Sequence, residues 1–221
     1  MPSQRVYFSN PRGQRLAGII DLPGEQPSGI ALFSHCFTCT KDLKAIVRVS
    51  RGLSRHGIAV LRFDFRGLGD SHGVFAESNF ETNLEDIQSA VQWLGENYSP
   101  PQLLIGHSLG GAAMMASVAA IPSAKSLVTL AAPSDTKHLA EFLAKSNPQI
   151  EATGSGEVVI GGRSHQITTQ LLASLRQQEM QVISVTQLPV EQNLMQEVTP
   201  QEVCFLQVCL VGIIMLLITL Q

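Results

Sequence analysis

Gly106-His107-Ser108-Leu109-Gly110 is the stretch whose residue types and spacing point to chemistry. Leu103-Leu104-Ile105 precedes it and reads as a short buried strand. Ala112-Ala113-Met114-Met115-Ala116 follows and reads as the start of a helix. A serine on a sharp strand-to-helix turn holds its hydroxyl exposed on a strained backbone. Gly106 and Gly110 remove side chains where strand and helix close on each other. The helix aims its first amides at an incoming carbonyl, which makes the N–H of Leu109 an oxyanion donor. The chemistry predicted is attack by Ser108 on an acyl group. His107, beside the serine, is expected to pack next to the site and not to act as its base.

The elements that must position this turn follow from composition and pattern. The chain has 221 residues, enough for one sizeable core and too few for two ordinary domains. With 44% hydrophobic and 15% charged residues it falls in the globular class. A net charge of -3 gives no reason to expect nucleic acid as a partner. The amino end leads into no apolar run of the secretory kind. Four cysteines in this length do not make a disulfide framework, so a reducing cytoplasm is the expected location.

Val6-Tyr7-Phe8 and Leu16 to Leu22 flank Asn10-Pro11-Arg12-Gly13, which predicts an antiparallel hairpin. Ile30-Ala31-Leu32-Phe33, Ile58 to Asp64 and Leu127 to Ala132 are further apolar runs that read as buried strands. Helical spacing marks Lys41 to Gly57 and Phe80 to Trp93, and Gly57 is placed to end the first of these. Strands and helices alternate, so the expected fold is α/β: a doubly wound, mostly parallel sheet.

Three motifs in order carry a resemblance to the α/β-hydrolases over about Val6 to Gln177. They are His35-Cys36-Phe37 after an early strand, Asp64-Phe65-Arg66-Gly67-Leu68-Gly69-Asp70-Ser71, and the turn at Ser108. The wording of residues 35–42 is similar, more narrowly, to the hydrolase half of bacterial proteins fused to an OsmC-like domain. The resemblance implies Ser108 as nucleophile and the amides of Phe37 and Leu109 as the oxyanion hole. Cys36 stands where the family usually has glycine. His35 is expected to orient the oxyanion loop. Asp64 and Asp70 are expected to brace the Gly-rich loop, with Arg66 pairing one of them. In this family the acid and then the histidine follow the serine in the chain. Asp135 is the last aspartate and His165 the last histidine, so the available triad is Ser108-Asp135-His165.

The family's late strands, and the loops that carry its acid and histidine, are not legible. Ile150 to Ile167 reads as a ribbon turning at Gly154-Ser155-Gly156, in a partial cap or lid region over 150–177; Thr168 to Gln178 reads as a short helix. A hydrolase-like domain is expected over 1–177 and an atypical tail over 178–221, with an apolar segment at 203–220. The sheet is therefore expected to be incomplete at its C-terminal end. Three readings of the tail are open: a truncated or frame-shifted end, a membrane anchor, or a core helix in place of the lost strands. The apolar segment reaches the short end of the ~17–25 residues needed to span a bilayer.

Cys36-Phe37-Thr38-Cys39 has thioredoxin or zinc spacing, but Cys204 and Cys209 do not complete a zinc ribbon, so structural or incidental thiols are expected. No metal is expected from that spacing, and no nucleotide cofactor, since the Gly-x-Gly-x-x-Gly of a dinucleotide site is missing. The expected function is hydrolysis of a small carboxylic ester, thioester or amide through an acyl-enzyme on Ser108. The alternative is a non-catalytic, hydrolase-like binding protein, membrane-associated through its tail. Expected partners are a small-molecule substrate and, through an exposed sheet edge, other copies of the chain.

Overall fold

The computed structural model describes residues 2–133 and 135–178, together with the backbone of 216–219. In chain order the elements are β1 (Ser3–Ser9), β2 (Arg15–Asp21), β3 (Gly29–Ser34), α1 (Lys44–Arg55), β4 (Ile58–Phe63), α2 (Phe80–Asn97), β5 (Leu103–His107), α3 (Leu109–Ser117) and β6 (Ser126–Leu130). They continue with α4 (Lys137–Ser146), α5 (Gln149–Thr153), β7 (Ser155–Ile160), β8 (Arg163–Thr168), α6 (Thr169–Gln177) and β9 (Leu216–Thr219).

One sheet runs in the order β1-β2-β4-β3-β5-β6-β9. β1 and β2 form the antiparallel hairpin, and β2 pairs antiparallel with β4. From β4 through β3 and β5 to β6 every pairing is parallel. Parallel strands need crossover helices, which cover both faces, so these strands are apolar on both sides. Residues alternate between two cores accordingly. Ala31, Phe33, Val60 and Ile105 pack with Ile46 of α1. Leu32, Leu61 and Leu104 pack with Ile87 and Leu94 of α2 and Met114 of α3. All are nearly or completely buried, and each large side chain removed from water contributes about 1.5–3 kcal/mol.

The strand order reverses at β3. The crossover through α1 goes to one side, and the crossover through α2 returns to the other. The C-terminal ends of β3 and β5 therefore lie side by side, with Ser34 opposite Gly106. Such a switch point leaves a crevice at the strand ends. α2 begins where Asn79 and Thr82 bond reciprocally to each other's backbone amides. It runs to Asn97, past the expected end at Trp93.

Beyond β6 the chain builds a small helical and hairpin region against the sheet domain. α6 packs on α4, and the Ser174 hydroxyl accepts the Phe80 amide at the start of α2. The ribbon is displaced from its expected place. Gly154 ends α5, and the two-residue turn is Gly161-Gly162, with φ of 58° and 77°. A hairpin loop with both central residues at positive φ selects that glycine pair. The α4 helix was not foreseen at all. The tail also differs where it is described: Leu216–Thr219 pairs antiparallel with Ser126–Thr129 of β6 as a strand, not a helix. Residues 203–215 lie outside the described residues, and so do Cys204 and Cys209. Among the described residues no helix is long and apolar enough to cross a membrane.

Candidate active site

Ser108 sits between β5 and α3 with φ 53° and ψ -123°. A non-glycine residue held there stores on the order of 1–3 kcal/mol of backbone strain. Its neighbours hold it. The Ser108 amide donates to the Leu130 carbonyl at 2.8 Å, and its own carbonyl accepts the amides of Gly111 and Ala112 at 2.9 and 3.2 Å. A Cβ on Gly106 would lie 2.4 Å from the Gly111 Cα, and one on Gly110 would lie 2.2 Å from the His35 carbonyl oxygen. A Cβ on Gly111 would meet the Ala132 Cβ at 2.6 Å. The turn exists in this form only because all three are glycine. Ala131, at φ 54°, is a second strained residue on the next strand end, and nothing in its sequence marked it.

His35 is buried at the end of β3 and acts as a strut. Its Nε2 accepts the Phe65 amide at 3.2 Å, which leaves Nδ1 protonated to donate to the Cys36 carbonyl at 2.7 Å. Burial lowers its pKa, the Cys36 carbonyl and Asp64 opposing that shift only in part. Burial likewise lowers the pKa of His107, whose Nδ1 is buried without a hydrogen-bond partner.

A buried ion cluster fixes the far end of the same loop. Lys41 Nζ donates to Asp64, Asp70 and Asp42 at 2.8, 2.7 and 2.9 Å. The other Asp64 oxygen accepts the Lys41 amide at 2.7 Å, and the Asp70 amide donates to Asp64 at 2.9 Å. Burial works against the Lys41 ammonium, but the three carboxylates outweigh it and hold its pKa above the ordinary lysine range. The sequence marked Asp64 and Asp70 but not the lysine that joins them. Arg66 pairs elsewhere: it grips Asp86 of α2 at 2.6 and 3.0 Å and Glu85 at 2.9 Å. The side chain of Asp64 is already filled by Lys41 and the loop amides.

The sulfurs of Cys36 and Cys39 are bonded as a disulfide, where free thiols were expected. The Cys39 amide donates to the Cys36 carbonyl at 3.3 Å, so the two cysteines end one tight turn with Phe37 and Thr38 at its tip. That turn brings their Cα atoms to 5.3 Å, within bridging range. Phe37 packs on Phe75 at 5.7 Å between ring centres, and Phe75 packs on His165 at 5.2 Å. A cavity of about 10 Å³, room for about one water, lies among His35, Cys36, Phe37, Phe75 and Leu109.

The structure brings Ser108, Leu109, Gly110, His35 and the Cys36–Cys39 turn together at the strand ends. It does not join Asp135 to His165. The exposed Asp135 carboxylate accepts the Lys137 amide at 2.7 Å, at the start of α4. His165, on β8, is half-buried; its Nε2 has no hydrogen-bond partner. Its pKa is lowered, first by burial and then by Arg163. Among the described residues no group of three or more His, Cys, Asp or Glu side chains is placed to hold a metal ion.

The family model for serine aminopeptidase, S33 matches residues 26–184. The chain belongs to this family. It is similar to the esterase domain of a Rhodothermus marinus protein, at 44% identity and a TM-score of 0.60, covering 80% of this chain and 68% of that one. Est1E from Butyrivibrio proteoclasticus, solved with ferulic acid bound, shares the fold at 20% identity and a TM-score of 0.67, covering 79% of this chain and 72% of that one. The human mitochondrial palmitoyl-protein thioesterase ABHD10 is 36% identical over 116 residues, which are 52% of this chain and 36% of that protein. An uncharacterised protein of Rickettsia prowazekii is 29% identical over 143 residues, 62% of this chain and 59% of that one. The chain thus spans about a third to three-fifths of these two relatives. Fold and family together establish an α/β-hydrolase with a mostly parallel sheet.

Lys41→Met would strand the Asp64 carboxylate in the interior. It is expected to cost about 3–5 kcal/mol of stability by urea denaturation. Asp42→Ala removes an exposed partner and is expected to cost under about 1 kcal/mol. Stability should also fall as pH drops below 6.5. There the unfolded chain takes up protons that the folded His35, His107 and His165 resist, so the unfolded state binds more. Melting temperature is expected to be lower at pH 5.5 than at pH 7. A flat profile across that window would contradict the lowered histidine values.

Proposed function

We propose that this chain is a serine hydrolase of small carboxylic esters or thioesters, amides being the slower class. Ser108 is the nucleophile, and its backbone geometry at the β5–α3 turn is the observation that carries the reading. The carbonyl carbon of the substrate accepts the Ser108 oxygen, and the charge that forms is held by the amides of Leu109 and Phe37. Each such donor contributes about 3–4 kcal/mol to the barrier reduction. The alcohol or thiol leaves, and water resolves the acyl-enzyme. The kinship with an esterase domain and with thioesterases supports the ester and thioester classes.

The base in this reading is His165. Its lowered pKa keeps the ring neutral at pH 7, its Nε2 is unfilled, and it packs against the Phe75 that backs Phe37. Asp135 is assigned as its acid, although its carboxylate accepts the Lys137 amide and is not bonded to His165. A second reading, a binding protein with the serine turn but no relay, is favoured by that missing bond. A small-molecule substrate serves either reading. The finer kinship, to hydrolases fused to OsmC-like domains, rests on the wording of residues 35–42. The same proposal includes self-association, a cytoplasmic location and, as the alternative, a membrane contact through 203–220.

A fluorophosphonate probe is expected to label the purified chain, and Ser108→Ala to abolish both labelling and ester hydrolysis. His165→Ala is expected to lower kcat/KM by about 10²–10⁴. Unchanged activity in that variant would remove His165 as the base. A folded protein that is never labelled would favour the binding reading.

A further inference from the structure

We propose that Cys36–Cys39 is a redox-active disulfide that gates the oxyanion loop: bridged, the loop holds Phe37 ready; opened by a thiol reductant, it does not. This rests on the hydrolase reading above.

The loop from His35 to Lys41 is fixed at both ends. At one end His35 is buried and tied to Phe65 and to the Cys36 carbonyl. At the other, Lys41 is buried and tied through amide and ammonium to Asp64. Between them Cys36, Phe37, Thr38, Cys39 and Thr40 are all half-exposed. Cys36 and Thr40 are held from the two ends, by His35 on the Cys36 carbonyl and by the Leu43 and Asp42 amides on Thr40; the tip between them is restrained by the disulfide, the 3.3 Å bond from the Cys39 amide to the Cys36 carbonyl, and the packing of Phe37 on Phe75. Opening the bridge therefore loosens the segment that presents the Phe37 amide and leaves both anchors in place.

A bridge across so short a loop contributes less to global stability than one across a long loop, because the entropy it removes from the unfolded chain grows with loop length. Its effect is local. An oxyanion donor works by being held where charge will develop, so freedom at Phe37 is lost catalysis. Both cysteines are half-exposed, open to attack by a small dithiol or the dithiol of a reductase, and their Cα separation of 5.3 Å lets the bridge re-form without backbone rearrangement.

The exchange balances with the reductant named. One thiolate of a dithiol attacks a sulfur of the Cys36–Cys39 bond, giving a mixed disulfide and one free cysteine. The reductant's second thiol then attacks its own sulfur in that mixed disulfide and expels the bound cysteine, leaving two cysteine thiols and the reductant as an intramolecular disulfide. Two electrons and two protons pass from the reductant to the protein.

The test compares the full chain before and after dithiothreitol without denaturant. Thiols are trapped by iodoacetamide and mapped by peptide mass, and ester hydrolysis is measured in parallel. Cys36 and Cys39 are expected to be alkylated only after reduction. On reduction kcat is expected to fall about tenfold, less than the 10²–10³ lost with a whole donor, with KM little changed. Reoxidation is expected to restore it. Cys39→Ser and Cys36→Ala, each checked for folding by circular dichroism, are expected to show the lowered kcat and no response to dithiothreitol. A bridge that resists dithiothreitol in the folded chain overturns the redox couple. Reduction with unchanged kcat overturns the gating and leaves the hydrolase reading intact. No hydrolysis in either state, with complete and reversible alkylation, overturns the hydrolase reading and the gating with it, and leaves only the couple.

Discussion

The near-contact between the backbones of β5 and α3 is the constraint on which the rest depends. Gly106 and Gly111 let strand and helix approach to distances that a Cβ would forbid, and Gly110 lets the helix start close on the end of β3. Ser108 is left at a positive φ that it would not adopt alone. The strain is met by bonds that the turn itself makes, from the Ser108 amide to Leu130 and from Gly111 and Ala112 to the Ser108 carbonyl. Because Gly110 also lies against the His35 carbonyl, the same contact sets the distance between the serine turn and the loop after β3. Ser34 reinforces it, its hydroxyl donating to the Gly110 carbonyl at 2.8 Å.

The loop after β3 is then held from below by groups of opposite character. His35 works as a neutral hydrogen-bonded strut, and Lys41 as a cation among carboxylates. A buried charge is costly unless paired and hydrogen-bonded, and Asp64 satisfies that by accepting from Lys41 and from two loop amides. Arg62 extends the brace, donating to the Lys41 carbonyl and to Asp21 of β2. Through these bonds the hairpin at the sheet edge is linked to the loop beside the serine. Rigidity there is what preorganised amides require.

The sheet and the serine turn were legible because they rest on local signals. Apolar runs of strand length, helical spacing in α1 and α2, and glycines around one serine each carry a steric reason in the sequence itself. That Asp135 and His165 are not bonded is not legible, since it depends on where α4 and the β7–β8 ribbon pack. No local signal marks α4, and the ribbon turn lies seven residues beyond Gly154, the glycine that ends α5. The helical spacing that includes Lys41 hides its role, since its ammonium is the centre of an ion cluster that reaches Asp64 and Asp70. Arg66 was assigned to its sequence neighbours and instead reaches α2 at Asp86. The Cys36–Cys39 spacing was visible, but its oxidation state is a property of the turn that brings the two sulfurs together.

The central claim is that the Ser108 turn makes a covalent acyl-enzyme. The direct measurement is intact-protein and peptide mass spectrometry after rapid mixing with a p-nitrophenyl ester and acid quenching. A gain of one acyl group, located on the peptide that contains Ser108 and formed before steady turnover, is the result this account predicts. Hydrolysis with no acylated intermediate, or an acyl group carried on another residue, would contradict it.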